Sequence, residues 1–303
     1  MGKLYVDKVK DMPGGTAIST NRSKPGLADH NANTGTKILT AFLIIVGCIN
    51  IFPFIFMVSS SFKPLNQIFE YPFRLIPGTF TMINYKGLFS EEYFFTRWYA
   101  NTIVMVISTI LLKSIVIIPA AYAFSRLKFR GRDKIFLVFL ATLMIPGDVT
   151  LVPRYVVYKL LGITDSMWSL VLPNAFDIFF VFMLRQFFAT IPFELTEAAI
   201  IDGCSHFKVL YRVILPNAKP AFLTMIIFTF IWGWNDYMGP YIFITDNKKQ
   251  MLTVGIQMFQ NGYAEDYGLQ MAAAALAMVP VIILFLSAQK YFIEGVATSG
   301  IKG

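Results

Sequence analysis

Charge is what this sequence has least of. Only 15% of its 303 residues are Asp, Glu, Lys or Arg, against about a quarter in ordinary soluble domains. With mean hydropathy strongly positive, that scarcity excludes a disordered chain, which needs low hydrophobicity and high net charge. It also argues against a soluble globular enzyme. Cysteine is nearly absent. Cys48, in an apolar run, and Cys204, in a polar loop, cannot make a disulfide framework and read as free thiols. The two histidines, His30 and His206, lie far apart with no Cys–His set beside them, so no metal site is expected. His206 reads as a surface residue. No G-x-x-x-x-G-K-[ST] loop occurs, so the chain cannot cradle nucleotide phosphates in the usual way. No Ser–His–Asp arrangement suggests itself. The first 37 residues lack the apolar core and cleavage site of a secretory signal and read as a flexible tail.

What is abundant is apolar surface, at 56% of residues. A helix needs about 20 mostly apolar residues to cross a bilayer. Stretches bounded by charges supply six of them: 38–62, 98–125, 135–153, 166–184, 220–245 and 267–289. Lys113, Asp148, Asp177 and Asp236 are the charges that interrupt them, and Pro146, Pro153 and Pro173 make the third and fourth the least regular. Long unbroken runs such as IFLVFLATLMIP exclude a membrane β-barrel, whose strands alternate in polarity over about 10 residues. The expected fold is therefore an all-α membrane protein, with a tail over 1–37 and six transmembrane helices within 38–303.

Lys and Arg in the loops set the orientation. With the N-terminus inside, 17 of the 26 basic residues fall in inner segments and 8 in outer loops, Lys113 being the remaining one. The densest cluster, Arg126, Lys128, Arg130, Arg132 and Lys134, is short and adjoins two spans. Both termini are expected on the cytoplasmic side.

The inner loop over 190–218, between the fourth and fifth spans, reads as two short helices hinged at a glycine. Pro192 suits a helix start, and Glu194 and Glu197 fall in its early turns, where the helix dipole favours acid. Gly203 suits a left-handed position that ends the helix, and Ser205 can cap the next. Phe207, Leu210, Tyr211 and Ile214 recur at one helical face, with Lys208 and Arg212 on another. Periodicity alone leaves two readings level: a helix resting in the headgroups, or a docking element for a soluble partner.

This stretch resembles the signature loop of the permeases of ABC importers. Their pattern of E-A-A, then D-G, then I-x-L-P stands here as Glu197-Ala198-Ala199-Ile200-Ile201-Asp202-Gly203 and Ile214-Leu215-Pro216. Ala121-Tyr122-Ala123-Phe124-Ser125-Arg126, Met144-Ile145-Pro146-Gly147, Leu160-Leu161-Gly162, Trp234-Asn235-Asp236 and the tail from Gln289 look like the carbohydrate permeases of the maltose type. The likeness covers about 38–303. It implies the membrane-spanning subunit of an ATP-driven importer for a sugar or oligosaccharide, in a bacterial plasma membrane. Implied with it are a second, homologous permease, two cytoplasmic ATPase subunits that bind ATP and Mg, and an extracytoplasmic solute-binding protein facing the outer loop 63–97. No cofactor is expected in this chain, and it is not expected to be an enzyme. The coupling role of that loop carries over to Glu197, Ala198, Ala199, Asp202, Gly203, Leu215 and Pro216. Nothing points to nucleic acid; lipid is the chain's solvent.

Charges within spans are costly and face a bundle interior or a watery cavity. Lys113 and Asp177 are expected to pair and hold helices together. Lys113 departs from the family pattern, and greeting an anionic sugar is the functional alternative for it. The fifth span carries Trp232, Trp234, Asn235, Asp236, Tyr237 and Tyr241. Interface anchoring accounts for some of them, while aromatic faces beside polar groups also suit sugars. The candidate translocation path is Trp234, Asn235, Asp236, Tyr237, Lys113 and Asp177. Met225, Met271 and Met278 read as packing fillers. Two other classes compete. An ion-gradient-driven secondary transporter of a polar solute would place charges at mid-bilayer but leaves the inner loop unexplained. An intramembrane enzyme would need a dense acidic or metal site, and the sequence offers none.

Overall fold

The computed structural model describes residues 34–259 and 266–300, so most of the expected tail over 1–37 lies outside the described residues. The chain divides into two compact units, 1–53 and 54–303. The described part of the first is helical, and its helix, α1 (Thr34–Ser61), runs on into the second. Among the described residues there are helices and turns and no strand.

Among the described residues, four helical stretches are long and apolar enough to cross a membrane: Gly35–Ser61, Phe95–Arg126, Trp168–Thr190 and Tyr267–Gln289. Two bent pairs raise the number to as many as six. Helix α2 (Phe95–Arg126) shows how such a run carries polar residues. Thr102, Thr109 and Ser114 each turn a hydroxyl back onto the carbonyl four residues earlier, at 2.7–2.8 Å. Each hydroxyl is thus satisfied within its own helix, as an apolar setting requires.

Three expected spans are broken, the third at a proline and the other two at aspartates. The third comprises α3 (Arg132–Thr142), a 3₁₀ turn over Gly147–Thr150 and α4 (Leu151–Leu160), with an 89° bend between the halves. Pro146 lacks the N–H that would continue α3 and disfavours helix in the residue before it. The fourth is α5 (Trp168–Asn174) and α6 (Ile178–Thr190), interrupted at Asp177, whose carboxylate accepts from the Phe179 N–H at 3.0 Å. Asp177 is therefore an N-cap as well as a charge. The fifth begins as α8 (Lys219–Asn235) and stops at Asp236, which is extended. A short helix, Met238–Phe243, follows. Helix α9 (Tyr267–Gly300) runs on beyond residue 289.

The second unit has two apolar cores. One gathers Ile117, Ala121, Phe180, Leu184, Phe188, Val209, Leu210, Ile214 and Met225. It ties α2 and α6 to the 190–218 segment, with Met225 as the filler its flexibility suits. The other gathers Leu88, Phe95, Trp98, Met105, Trp234, Phe243, Leu252 and Leu269. There the Trp98 indole lies so close to Gly255 that any side chain at 255 would collide with it. Cys48 and Cys204 are free thiols.

Candidate functional site

Two places in the second unit collect the residues singled out from sequence. The first is the segment between α6 and α8. Helix α7 (Phe193–Ile201) starts after Pro192, with Glu194 in its first turn. Gly203 has φ +79° with open space around it, a left-handed position that costs a residue with a Cβ about 1–2 kcal/mol. The Ser205 side chain accepts from the Lys208 N–H and caps the helical turn His206–Val209. A π-helical stretch, Leu210–Ile214, follows, and the whole piece from His206 meets α8 at 83°.

That π turn corrects the expected apolar face. Leu210 and Ile214 are buried as anticipated, joined by Val209. Phe207 and Tyr211 are exposed instead, their rings 5.1 Å apart on the outside. A π turn holds more residues per turn than the 3.6 on which the periodicity argument rests, so the four positions do not share one side. The outer surface of the segment carries many apolar side chains between its charges: Phe193, Leu195, Ile200, Phe207 and Tyr211 are exposed, and Ile201 is 84% exposed, beside exposed Glu194, Lys208 and Arg212. Glu197, Ala198 and Asp202 are exposed among them, Ala199 is buried and Leu215 half-buried.

The segment is keyed to α2 from above. Arg126, 7% exposed, donates from Nη2 to the carbonyls of Phe188 and Ile191. A cation there also complements the negative end of α6. Arg185 donates to the Phe124 carbonyl at 3.2 Å. The Tyr122 hydroxyl and His206 Nδ1 are 3.1 Å apart. The surface position expected for His206 is the one observed. At the start of α3, the Arg132 side chain hydrogen-bonds Asp133 and holds its carboxyl below the usual carboxylate range.

The second place is a cavity of about 330 Å³ between α2, α4, α5 and α8. Of the proposed path residues it is lined by Lys113, Asp177 and Asp236. The anticipated pair is present: Lys113 Nζ donates to Asp177 Oδ2 at 3.0 Å and lies 4.7 Å from the centre of the Phe180 ring. Lys113 is only 3% exposed, so a helix-to-helix clamp accounts for it. Asp236 Oδ1 accepts from the Gly239 N–H at 3.1 Å. The other three path residues do not line the cavity. Trp234 is buried, donating its indole N–H to the Ala277 carbonyl at 3.0 Å. Asn235 returns its amide to the Ile231 carbonyl at 2.8 Å, and Tyr237 stacks on Tyr241 at 5.4 Å. Sequence reasoning missed Thr229, Trp232, Arg154 and Asp148, which do line it. Trp232 stands in the sequence only as one of the fifth span's aromatics, Asp148 as a charge interrupting the third span, and Arg154 as the charge that bounds it.

Asp165, at φ +58°, closes the loops beside the cavity. Its N–H donates to the Phe243 carbonyl at 2.8 Å, holding a cavity wall. Its carboxylate accepts from the N–H groups of Thr245 and Asp246 and from Lys249 Nζ, each at 2.9 Å. The Asp246 N–H, then the Lys249 ammonium, pull its pKa down to about 2. The same contact raises the pKa of Lys249. Among the described residues no group of His, Cys, Asp and Glu could hold a metal ion.

Residues 30–298 match the binding-protein-dependent transport system inner membrane components. The chain belongs to this family. As an inner membrane component it has full-length relatives. It is 33% identical to the probable ABC transporter permease protein YurM of Bacillus subtilis (strain 168), over 83% of this chain and 84% of that one. It is 31% identical to the maltodextrin transport system permease protein MdxG of the same organism, over 90% and 100%. A crystal structure of a bacterial ABC transporter involved in the import of the acidic polysaccharide alginate contains a chain of the same fold. The TM-score is 0.76 at 24% identity, covering 84% of this chain and 96% of that one.

Proposed function

We propose that this chain is the permease subunit of an ATP-driven importer that moves a sugar or oligosaccharide across the bacterial inner membrane. The observation that carries the reading is the end-to-end match to transport-system inner membrane components. The maltodextrin permease among its relatives supports a saccharide as cargo. In this reading the six apolar segments, three of them broken, each cross the bilayer, and both termini face the cytoplasm. A second, homologous permease completes the path, and an extracytoplasmic binding protein delivers the cargo.

The segment 190–218 is the coupling element. Its exposed apolar surface, with Ile201 at the tip beside the Gly203 hinge, suits a cleft on a separate ATPase subunit, which supplies the ATP and Mg chemistry. A soluble protein avoids leaving such a patch uncovered. Arg126 and Tyr122 connect that surface to α2, so rigid-body closure of an ATPase dimer reaches the spans through packed contacts. Glu197 stands at the face of the patch as a partner for a basic residue. The test is uptake by the assembled complex. It should stop when the ATPase nucleotide site is disabled and be indifferent to collapse of the proton gradient. Uptake driven by the gradient alone would favour a secondary transporter.

A further inference from the structure

Resting on the reading as a sugar permease, we infer that the cavity lined by Thr229, Trp232, Arg154 and Asp236 is a binding subsite on this chain for the hydroxyl groups of an uncharged saccharide.

The Thr229 side chain is the first indication. It is 3% exposed, its hydroxyl has no hydrogen-bond partner in the protein, and it lines the cavity. Other hydroxyls of the same wall are already satisfied: Thr109 bonds the Met105 carbonyl at 2.8 Å and Ser169 the Ser166 carbonyl at 2.7 Å. A buried hydroxyl left unpaired is destabilising, so Thr229 is where a ligand hydroxyl gains most. The Arg154 Nε is likewise buried without a partner, while the guanidinium lies 5.9 Å from the Phe243 ring centre. A donor, a hydroxyl and the Asp236 carboxylate therefore line the same cavity as the Trp232 indole. That is an apolar face with a few placed polar groups, the composition of small-molecule sites.

Charge decides the class. The cavity is lined by two cations, Lys113 and Arg154, and three carboxylates, Asp148, Asp177 and Asp236. Lys113 is committed to Asp177 and Asp148 is exposed, which leaves the Arg154 guanidinium facing Asp236. A sugar carboxylate entering here finds the one remaining guanidinium already facing Asp236 and is repelled by that half-buried carboxylate. A neutral glycan brings hydroxyls that both donate and accept and meets no such repulsion. The Lys113 ammonium, the sequence's alternative receiver of an anionic sugar, is the element that cancels Asp177.

The experiment measures uptake of a neutral trisaccharide and of trigalacturonate by the intact transporter, with its own binding protein, in proteoliposomes. Wild type should import the neutral sugar and prefer it. Thr229→Val, nearly the same shape, should lower neutral uptake about fivefold with assembly unchanged, the effect of one lost hydrogen bond. Asp177→Asn keeps an N-cap and removes one negative charge. It should shift the neutral-to-acidic ratio about tenfold toward the acid. The melting temperature of each variant complex reports its folding, and the Thr229→Val arm stands if Asp177→Asn fails to assemble. Wild-type uptake of the neutral sugar with both variants unaltered in rate and ratio would overturn the subsite and leave the permease reading intact. A wild-type preference for trigalacturonate would overturn it also. No ATP-driven uptake of either sugar would overturn both.

Discussion

The segment 190–218 and the cavity between α2 and α8 carry the two halves of the proposed mechanism, and they are built in opposite ways. The segment is local: its helix start, hinge and cap come from residues within about thirty positions of one another. It turns apolar side chains outward. The cavity is assembled from residues between 105 and 243 and turns polar side chains inward. A surface that must be held by another subunit can be written in one stretch of chain. A surface that must select a solute has to be made by helices meeting.

Breaking the hinge should give the largest effect. Gly203→Val places a β-branched residue at φ +79°, where such residues are genuine outliers. ATP-driven uptake should fall at least about tenfold, more than 1.4 kcal/mol of lost coupling, with membrane content on an immunoblot unchanged. Wild-type uptake would show that the hinge geometry does not matter to coupling. Arg126→Gln attacks the tie between segment and spans. It removes a buried cation that holds two carbonyls, and a charged hydrogen bond is worth about 1.5–3 kcal/mol. The melting temperature of the purified complex should fall by several degrees, and ATP hydrolysis should become less dependent on cargo. A complex that melts and couples as wild type would place the tie elsewhere.

The same contrast explains what could be read from the sequence. Gly203, Ser205 and Pro192 were legible because turn and cap preferences depend on a few neighbouring residues. The all-helical class was legible because long apolar runs leave no other structure for a bilayer. The apolar face at 207–214 was misread because a π turn changes the periodicity that the reading assumes. The cavity was half legible. Lys113, Asp177 and Asp236 stand out as charges in apolar runs, whereas Thr229 is an ordinary threonine until its hydroxyl is found alone in a cavity wall. Trp234 and Asn235, next to Asp236, looked as good as it did. The end of α8 turns one of them into the core and the other back onto its own helix, and sequence spacing cannot say which way a helix end rolls.

Smaller effects sharpen the comparison at the cavity's rim and the segment's cap. The Asp165 carboxyl is depressed to about 2 in the fold, below about 3.9 when unfolded. Its stabilising contribution is thus fully present above about pH 4 and lost as pH falls toward 2. Asp165→Asn should cost about 1 kcal/mol at pH 7, once solvent screening of this partly exposed group is allowed for. The gap between variant and wild-type melting temperatures should narrow below about pH 4; a constant gap would mean that the carboxylate charge is not what closes the loops. Ser205→Ala should cost about 0.5 kcal/mol, at the low end for an N-cap, because its hydrogen bond is long at 3.5 Å. Chemical denaturation of the complex would detect it, and a loss several times larger would show the cap to be more than local.

The most direct test is to place a photo-crosslinking amino acid at position 201, the exposed tip of the segment, and irradiate the assembled transporter in native membranes. The account predicts a crosslink to the ATPase subunit whose yield changes between nucleotide-free and ATP-bound complex. A product formed only with lipid or with extracytoplasmic protein, and none with an ATPase, would contradict it.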